Sequence, residues 1–196
     1  MAANINILPG FKRVLSYEIE VSKTAVKALS VSVFIVLMAL GAYVRMPLPF
    51  TPVPVTLQTL FIMLAAVCLG CRLAGLSQLG YLLLGCLGVP VFAGAASGIS
   101  YLTGVTGGYL IGFVLAAYTI GFLMKLRGGL LWTAVSFLSG FFVLYLSGTL
   151  WLKVSMNVTF QEAFSLGVAP FMPGCCVKMI AALSFYKTFR NKFKGF

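Results

Sequence analysis

Between Ala28 and Tyr186 this chain of 196 residues carries seven charged side chains: Arg45, Arg72, Lys125, Arg127, Lys153, Glu162 and Lys178. All but Lys178 fall at the ends of apolar runs or in the connections between them. A soluble domain is about 25% charged and about 45–50% apolar. Here 9% of residues are charged and 61% are apolar. The solvent of such a chain is lipid. The same numbers exclude disorder, a collagen-like repeat and a secreted disulfide scaffold.

A spanning helix takes roughly 20 residues, so there is room for about six with short loops. Apolar segments occur at 28–44, 55–70, 73–89, 107–124, 130–152 and 171–186. The expected fold class is an all-α integral membrane protein with six transmembrane helices. Residues 28–186 form the membrane domain, and no second domain is expected outside it. Residues 187–196 are read as a basic cytoplasmic tail. Residues 1–27 do not read as a signal peptide, because Lys12, Arg13, Glu18, Glu20, Lys23 and Lys27 interrupt them. Phe11, Val14, Leu15 and Ile19 recur at helical spacing after Pro9-Gly10. An amphipathic helix on the membrane surface and a solvated tail both fit that pattern.

Positive charge sets the orientation. With the N-terminus inside, Lys12, Arg13, Lys23, Lys27, Arg72, Lys125, Arg127, Lys187, Arg190, Lys192 and Lys194 lie on the inner side. Arg45 and Lys153 lie on the outer side. Eleven against two is a positive-inside pattern that puts both termini in the cytoplasm, in a multi-pass protein of the cytoplasmic membrane. The net charge of +11 needs no nucleic acid to explain it.

The outer connections carry the unusual sequence. Residues 46–54 read MPLPFTPVP; four prolines remove amide donors and make a stiff extended segment. Residues 90–106 are uncharged and apolar enough to dip back into the membrane as a non-helical, re-entrant-like loop. Thr159 followed by Glu162 is a capping box, so a short helix should start there.

Lys178 lies seven residues into the last segment, where a lysine costs about 2.5–3.5 kcal/mol. No span contains a carboxylate to offset it. Its partners are then carbonyls, water, Glu162 reaching inward or an anionic ligand; the competing reading is snorkelling to an interface. Cys175 shares its helix face, and Phe171 and Ala182 extend that face. Gln58 and Thr56 stand at the outer end of the second segment, with an interhelical hydrogen bond and a ligand contact as two readings of Gln58. Gly108, Gly112 and Ala116 make a small-residue stripe for close helix packing, and Ala28 and Ser32 a second one for a neighbouring helix or a partner protein. Cys68 and Cys71 read as free thiols, since no His exists to complete a metal site. With neither His nor Asp, no nucleophile–base–acid set can be assembled, and no GxxxxGK[ST] occurs. An enzyme and a nucleotide-driven motor within this chain are not expected, and no cofactor or metal is implied.

Five motifs occur in order: PLPFTPVPVTLQTL, YLLLGCLGVPVFAG, GVTGGYLIGF, GTLWLK and PFMPGCCVK. In type and spacing they resemble the BioY family of biotin transporters, the substrate-binding components of energy-coupling factor systems. The resemblance spans about residues 28–186. It implies six helices with biotin held near the outer face, under the first and third outer connections. It also implies a transmembrane coupling protein and two ATPases as partners, met through Ala28 and Ser32. The family's Pro-Gly-Asp-x-x-Lys pattern falls on Pro173, Gly174, Cys175 and Lys178, so a thiol stands in the acid's place. Val105 stands where the glycine motif usually has proline. The ligand's polar edges would meet Lys178, Cys175, Gln58, Thr56, Thr106, Gly107 and Tyr109, and its apolar ring Tyr81 and Phe92. Another anionic vitamin is the alternative substrate, and a non-transport membrane scaffold the alternative role.

Overall fold

The computed structural model describes residues 9–189. Helix α1 (Pro9–Tyr43) leads into a two-stranded hairpin, β1 (Arg45–Leu48) and β2 (Thr51–Thr56). Then follow α2 (Gln58–Cys86), the short α3 (Ile99–Leu102), α4 (Gly107–Leu126), α5 (Leu130–Met156), α6 (Phe160–Gly167), a 3-10 turn (Ala169–Phe171) and α7 (Met172–Phe189). Among the described residues, five stretches are long and apolar enough to cross a membrane: Lys23–Tyr43, Gln58–Cys86, Gly107–Leu126, Leu130–Met156 and Phe160–Phe189.

The fourth, fifth and sixth apolar segments correspond to α4, α5 and α7, while the second and third both fall within α2. Gly70 interrupts α2 with φ 72° and ψ 176°, a conformation glycine takes without steric cost. The break reverses the chain. Gln58 Nε2 lies 2.9 Å from Tyr81 Oη, whereas 23 residues of straight helix would hold their backbones about 34 Å apart. The two limbs, 58–69 and 71–86, therefore run antiparallel. Helix α1 continues unbroken from Pro9 through the expected boundary at residue 27. The side chains of the Phe11–Ile19 stripe, and residues 190–196 of the basic tail, lie outside the described residues.

The proline-rich segment corrects the all-α expectation. Its extended chain pairs with itself, Arg45 opposite Thr56, Met46 opposite Val55 and Leu48 opposite Thr51, with an irregularity between Met46 and Leu48. Pro47 sits at that irregularity, where a missing amide donor costs no ladder bond. Residues 90–106, expected to be non-helical, contain the single turn α3 and a bridge between Phe92 and Ala96.

Packing in the bundle is governed by missing side chains. A Cβ on Gly108 would strike Trp151 and the Ser147 carbonyl, and one on Gly112 would strike the Ser147 hydroxyl. The small-residue stripe of α4 thus faces α5. Gly121, nearer the other end of α4, receives the Gly70 reversal: its Cβ would come 2.5 Å from Cys71 N and 2.6 Å from Cys71 Cα. Backbone cannot move aside as a side-chain tip can. Gly121→Ala should lower the thermal unfolding midpoint in detergent by the equivalent of about 1–3 kcal/mol. Gly75→Ala, whose methyl would meet only Tyr118 at 3.8 Å, should leave it nearly unchanged.

Candidate functional site

The hairpin end of the bundle is held together by side-chain donors that bond to loop carbonyls. Tyr43 Oη donates to Pro90 O (2.5 Å), Tyr81 Oη to Val91 O (3.1 Å) and Trp151 Nε1 to Gly104 O (2.9 Å). Thr51 Oγ1 donates to Leu166 O at 2.8 Å, tying the hairpin to α6. Tyr109 Oη donates to Gly167 O at 2.9 Å, tying α6 to α4. Helix α6 starts with the expected capping box: the Glu162 amide donates to Thr159 Oγ1 (3.3 Å) and the Thr159 amide to Glu162 Oε2 (2.9 Å).

A cavity lies beneath this cover. About 590 Å3 there, open solvent at the mouth included, is free of protein atoms. The hairpin contributes Val53, Pro54 and Thr56; α2 contributes Gln58 and Thr59. Ala93 and Tyr101 come from the second connection. Thr106 and then Tyr109, Leu110 and Phe113 of α4 form one wall, Leu144 and Tyr145 of α5 another. Phe171 and Lys178 close it from the last part of the chain.

Lys178 is the charged residue among those lining the cavity. Its Nζ donates to Thr56 O at 2.6 Å and to Thr59 Oγ1 at 3.0 Å. An ammonium has three donors, so one stays uncommitted among the described residues. The head group thus bonds to the end of β2 and the first turn of α2. Thr56 Oγ1 donates to Gln58 Oε1 (3.2 Å), Gln58 Nε2 to Tyr81 Oη (2.9 Å), and Tyr81 onward to Val91 O. Gln58 thus bonds across to the second limb of α2 and lines the cavity as well. The Thr106 hydroxyl makes no cap bond to α4.

Of the nine site residues expected from sequence, Lys178, Gln58, Thr56, Thr106 and Tyr109 line the cavity, and four do not. Tyr81 and Phe92 are fully buried behind it, ring edge to ring face at 5.6 Å, and support Gln58 and Tyr101 instead. Gly107 is packed where a Cβ would strike Leu102 O. Cys175 turns toward α5, its Sγ 2.7 Å from Tyr145 Oη. Sequence reasoning missed Thr59, Tyr101 and Tyr145. Thr59 directly follows Gln58 and shares the lysine; the other two are hydroxyl-bearing rings in apolar surroundings, a signal too common to single them out. Ala28 and Ser32 are exposed on α1. All five cysteines are free.

Helices of spanning length around a polar-edged apolar cavity define a multi-pass membrane protein with a small-molecule site. Comparison with known proteins narrows the class. The model of the BioY family matches residues 15–195, and the chain belongs to that family, a family of transporters rather than enzymes. It is 41% identical over 78% of its length to a probable biotin transporter BioY of Pyrococcus horikoshii, covering 89% of that protein. It is 37% identical over 76% of its length to the biotin transporter BioY of Thermotoga maritima, covering 87% of it. Among solved structures, the S-component for biotin from an ECF-type ABC transporter superposes with a TM-score of 0.80 at 24% identity. That match covers 87% of this chain and 93% of the other and shows a shared fold.

The Tyr109 bond to Gly167 is the link between α4 and the cover. Removing its hydroxyl leaves a buried carbonyl unpaired, at a cost of about 1–3 kcal/mol. Tyr109→Phe should lower the unfolding midpoint accordingly and speed hydrogen exchange in residues 160–168 more than in α4 or α5.

Proposed function

We propose that this chain takes up biotin across the cytoplasmic membrane, binding it in the cavity at the outer face and releasing it inward. The observation that carries the reading is the uncommitted donor of Lys178 in an otherwise apolar, aromatic cavity edged by the Gln58 amide and the Thr56, Thr59 and Thr106 hydroxyls. Biotin has the complementary parts: a carboxylate, a ureido group and an apolar thioether ring. The names of the relatives support the same substrate.

In this reading the two limbs of α2 are separate spans, giving six, and residues 90–106 dip back over the site. Residues 1–27 and 187–196 are the inner-side amphipathic segment and basic tail. Both termini are cytoplasmic, supported by eleven inner against two outer basic residues. The chain lacks a nucleotide-binding motif, so energy comes from a transmembrane coupling protein and two ATPases, or from a gradient. The exposed Ala28 and Ser32 offer the coupling protein a close-packing surface. A second reading, another anionic vitamin, draws support from the thiol at position 175.

Purified protein titrated with a vitamin panel tests the substrate: biotin should bind and the others should not, and tight binding of another vitamin alone overturns the reading. Lys178→Met keeps length and removes charge. Biotin affinity should fall at least tenfold, about 1.4 kcal/mol, while expression holds because the cost of a charge in the membrane is relieved. Unchanged affinity would remove Lys178 from the site. Reporter fusions at each terminus should report the cytoplasm, and one inserted after residue 97 the outside. An outward C-terminus would overturn the placement of the site.

A further inference from the structure

The bond between Tyr145 and Cys175 spans the seam between α5 and α7. Tyr145 lines the cavity and Cys175 does not. Cys175 also borders an apolar groove on the far side of the seam, which Tyr145 shares. Three neighbouring rings fix the Tyr145 ring: Tyr109 edge-on at 6.4 Å, Phe171 stacked at 6.4 Å and Phe141 tilted at 6.3 Å. Cys175 and Lys178 lie one helical turn apart on the same face, and Tyr145 and Lys178 line the same cavity.

We infer that Tyr145 supplies a second ligand-binding donor beside Lys178, and that Cys175 is the positioning residue that holds it without touching ligand. The inference rests on reading this cavity as the biotin site. A thiol is both a weak donor and a weak acceptor. Without ligand, Tyr145 Oη and Sγ share a hydrogen bond that either group can donate. When a ligand oxygen arrives, the S–H turns to donate to Tyr145 Oη, and the tyrosine hydrogen turns to the ligand. No proton changes owner; two hydrogen bonds rotate. A hydroxyl buried in apolar surroundings keeps a partner in both states, which removes the cost of an unpaired group. The ligand part recognised is an acceptor oxygen, carbonyl or carboxylate.

A double-mutant cycle on biotin affinity tests this, with unfolding midpoints measured in the absence of ligand as the structural control. Tyr145→Phe should weaken binding about tenfold, equal to about 1.4 kcal/mol. Cys175→Ala should weaken it several-fold in the wild-type background and not at all in the Tyr145→Phe background, because the thiol acts through the hydroxyl. Cys175→Ser preserves a donor–acceptor pair and should keep affinity. Equal loss from Cys175→Ala in both backgrounds would mean that the thiol touches ligand. Wild-type affinity in Tyr145→Phe would reduce Tyr145 to cavity wall. Where Tyr145→Phe lowers the unliganded midpoint, Cys175→Ser decides: lost affinity at a retained midpoint overturns the inference. A wild-type chain that binds no biotin is a different result and overturns the substrate reading itself.

Discussion

An ammonium group drawn away from water ties the last helix of this bundle to the start of α2. Lys178 Nζ reaches the Thr56 carbonyl at 2.6 Å and the Thr59 hydroxyl at 3.0 Å. Bonds to a charged donor are roughly twice as strong as neutral ones. The position of α7 follows from that demand. Thr56 also ends β2, so the clasp fixes the hairpin, and Thr51 carries the constraint on to α6. Three elements that share little direct packing are thereby drawn around one cavity.

Two kinds of cohesion divide the molecule. Helices α4 and α5 approach through missing side chains, with Gly108 and Gly112 admitting Trp151 and Ser147, and Gly121 does the same for the Gly70 reversal. Such packing has no intermediate state, because a helix either fits the gap or does not. The hairpin end is held instead by side-chain bonds to single carbonyls, from Tyr43, Tyr81, Tyr109 and Trp151. Each contributes about 0.5–1.5 kcal/mol net, and each breaks separately. A cover of that kind opens locally while the bundle below it stays closed, as a protein that admits and encloses a small molecule requires.

Much of this was legible in the chain because lipid leaves little choice. Apolar runs of spanning length, the Thr159–Glu162 cap and the glycine stripe of α4 each follow from a local rule, and the structure has all three. Lys178 was legible because an unpaired charge in an apolar run has no inexpensive explanation. The hairpin was not: prolines announce extended chain but say nothing of its partner, which is the same segment folded on itself. Nor was the Gly70 reversal legible as one continuous element, since hydropathy marks spans and not the geometry joining them. Tyr145 was hidden for another reason. Its role depends on Cys175, 30 residues away, and α5 and α7 meet only in three dimensions.

The thiol at position 175 changes the charge balance of the site, beyond the loss of an acceptor. The resemblance noted in the sequence implies an acid in that place, one turn from the lysine. A carboxylate is acceptor-only when ionised, so it would take the Tyr145 hydroxyl and neutralise Lys178, committing both donors within the protein. Cys175 takes one weak bond and no charge. Lys178 bonds to a carbonyl and a hydroxyl, and in the proposed reading Tyr145 and Lys178 both turn to the ligand. A buried cation without a counter-ion is costly, and a ligand that supplies a negative group removes that cost on entering. In the proposed reading, a neutral residue at 175 leaves both donors for an acceptor-bearing ligand, and for an anionic one binding and charge neutralisation become one event.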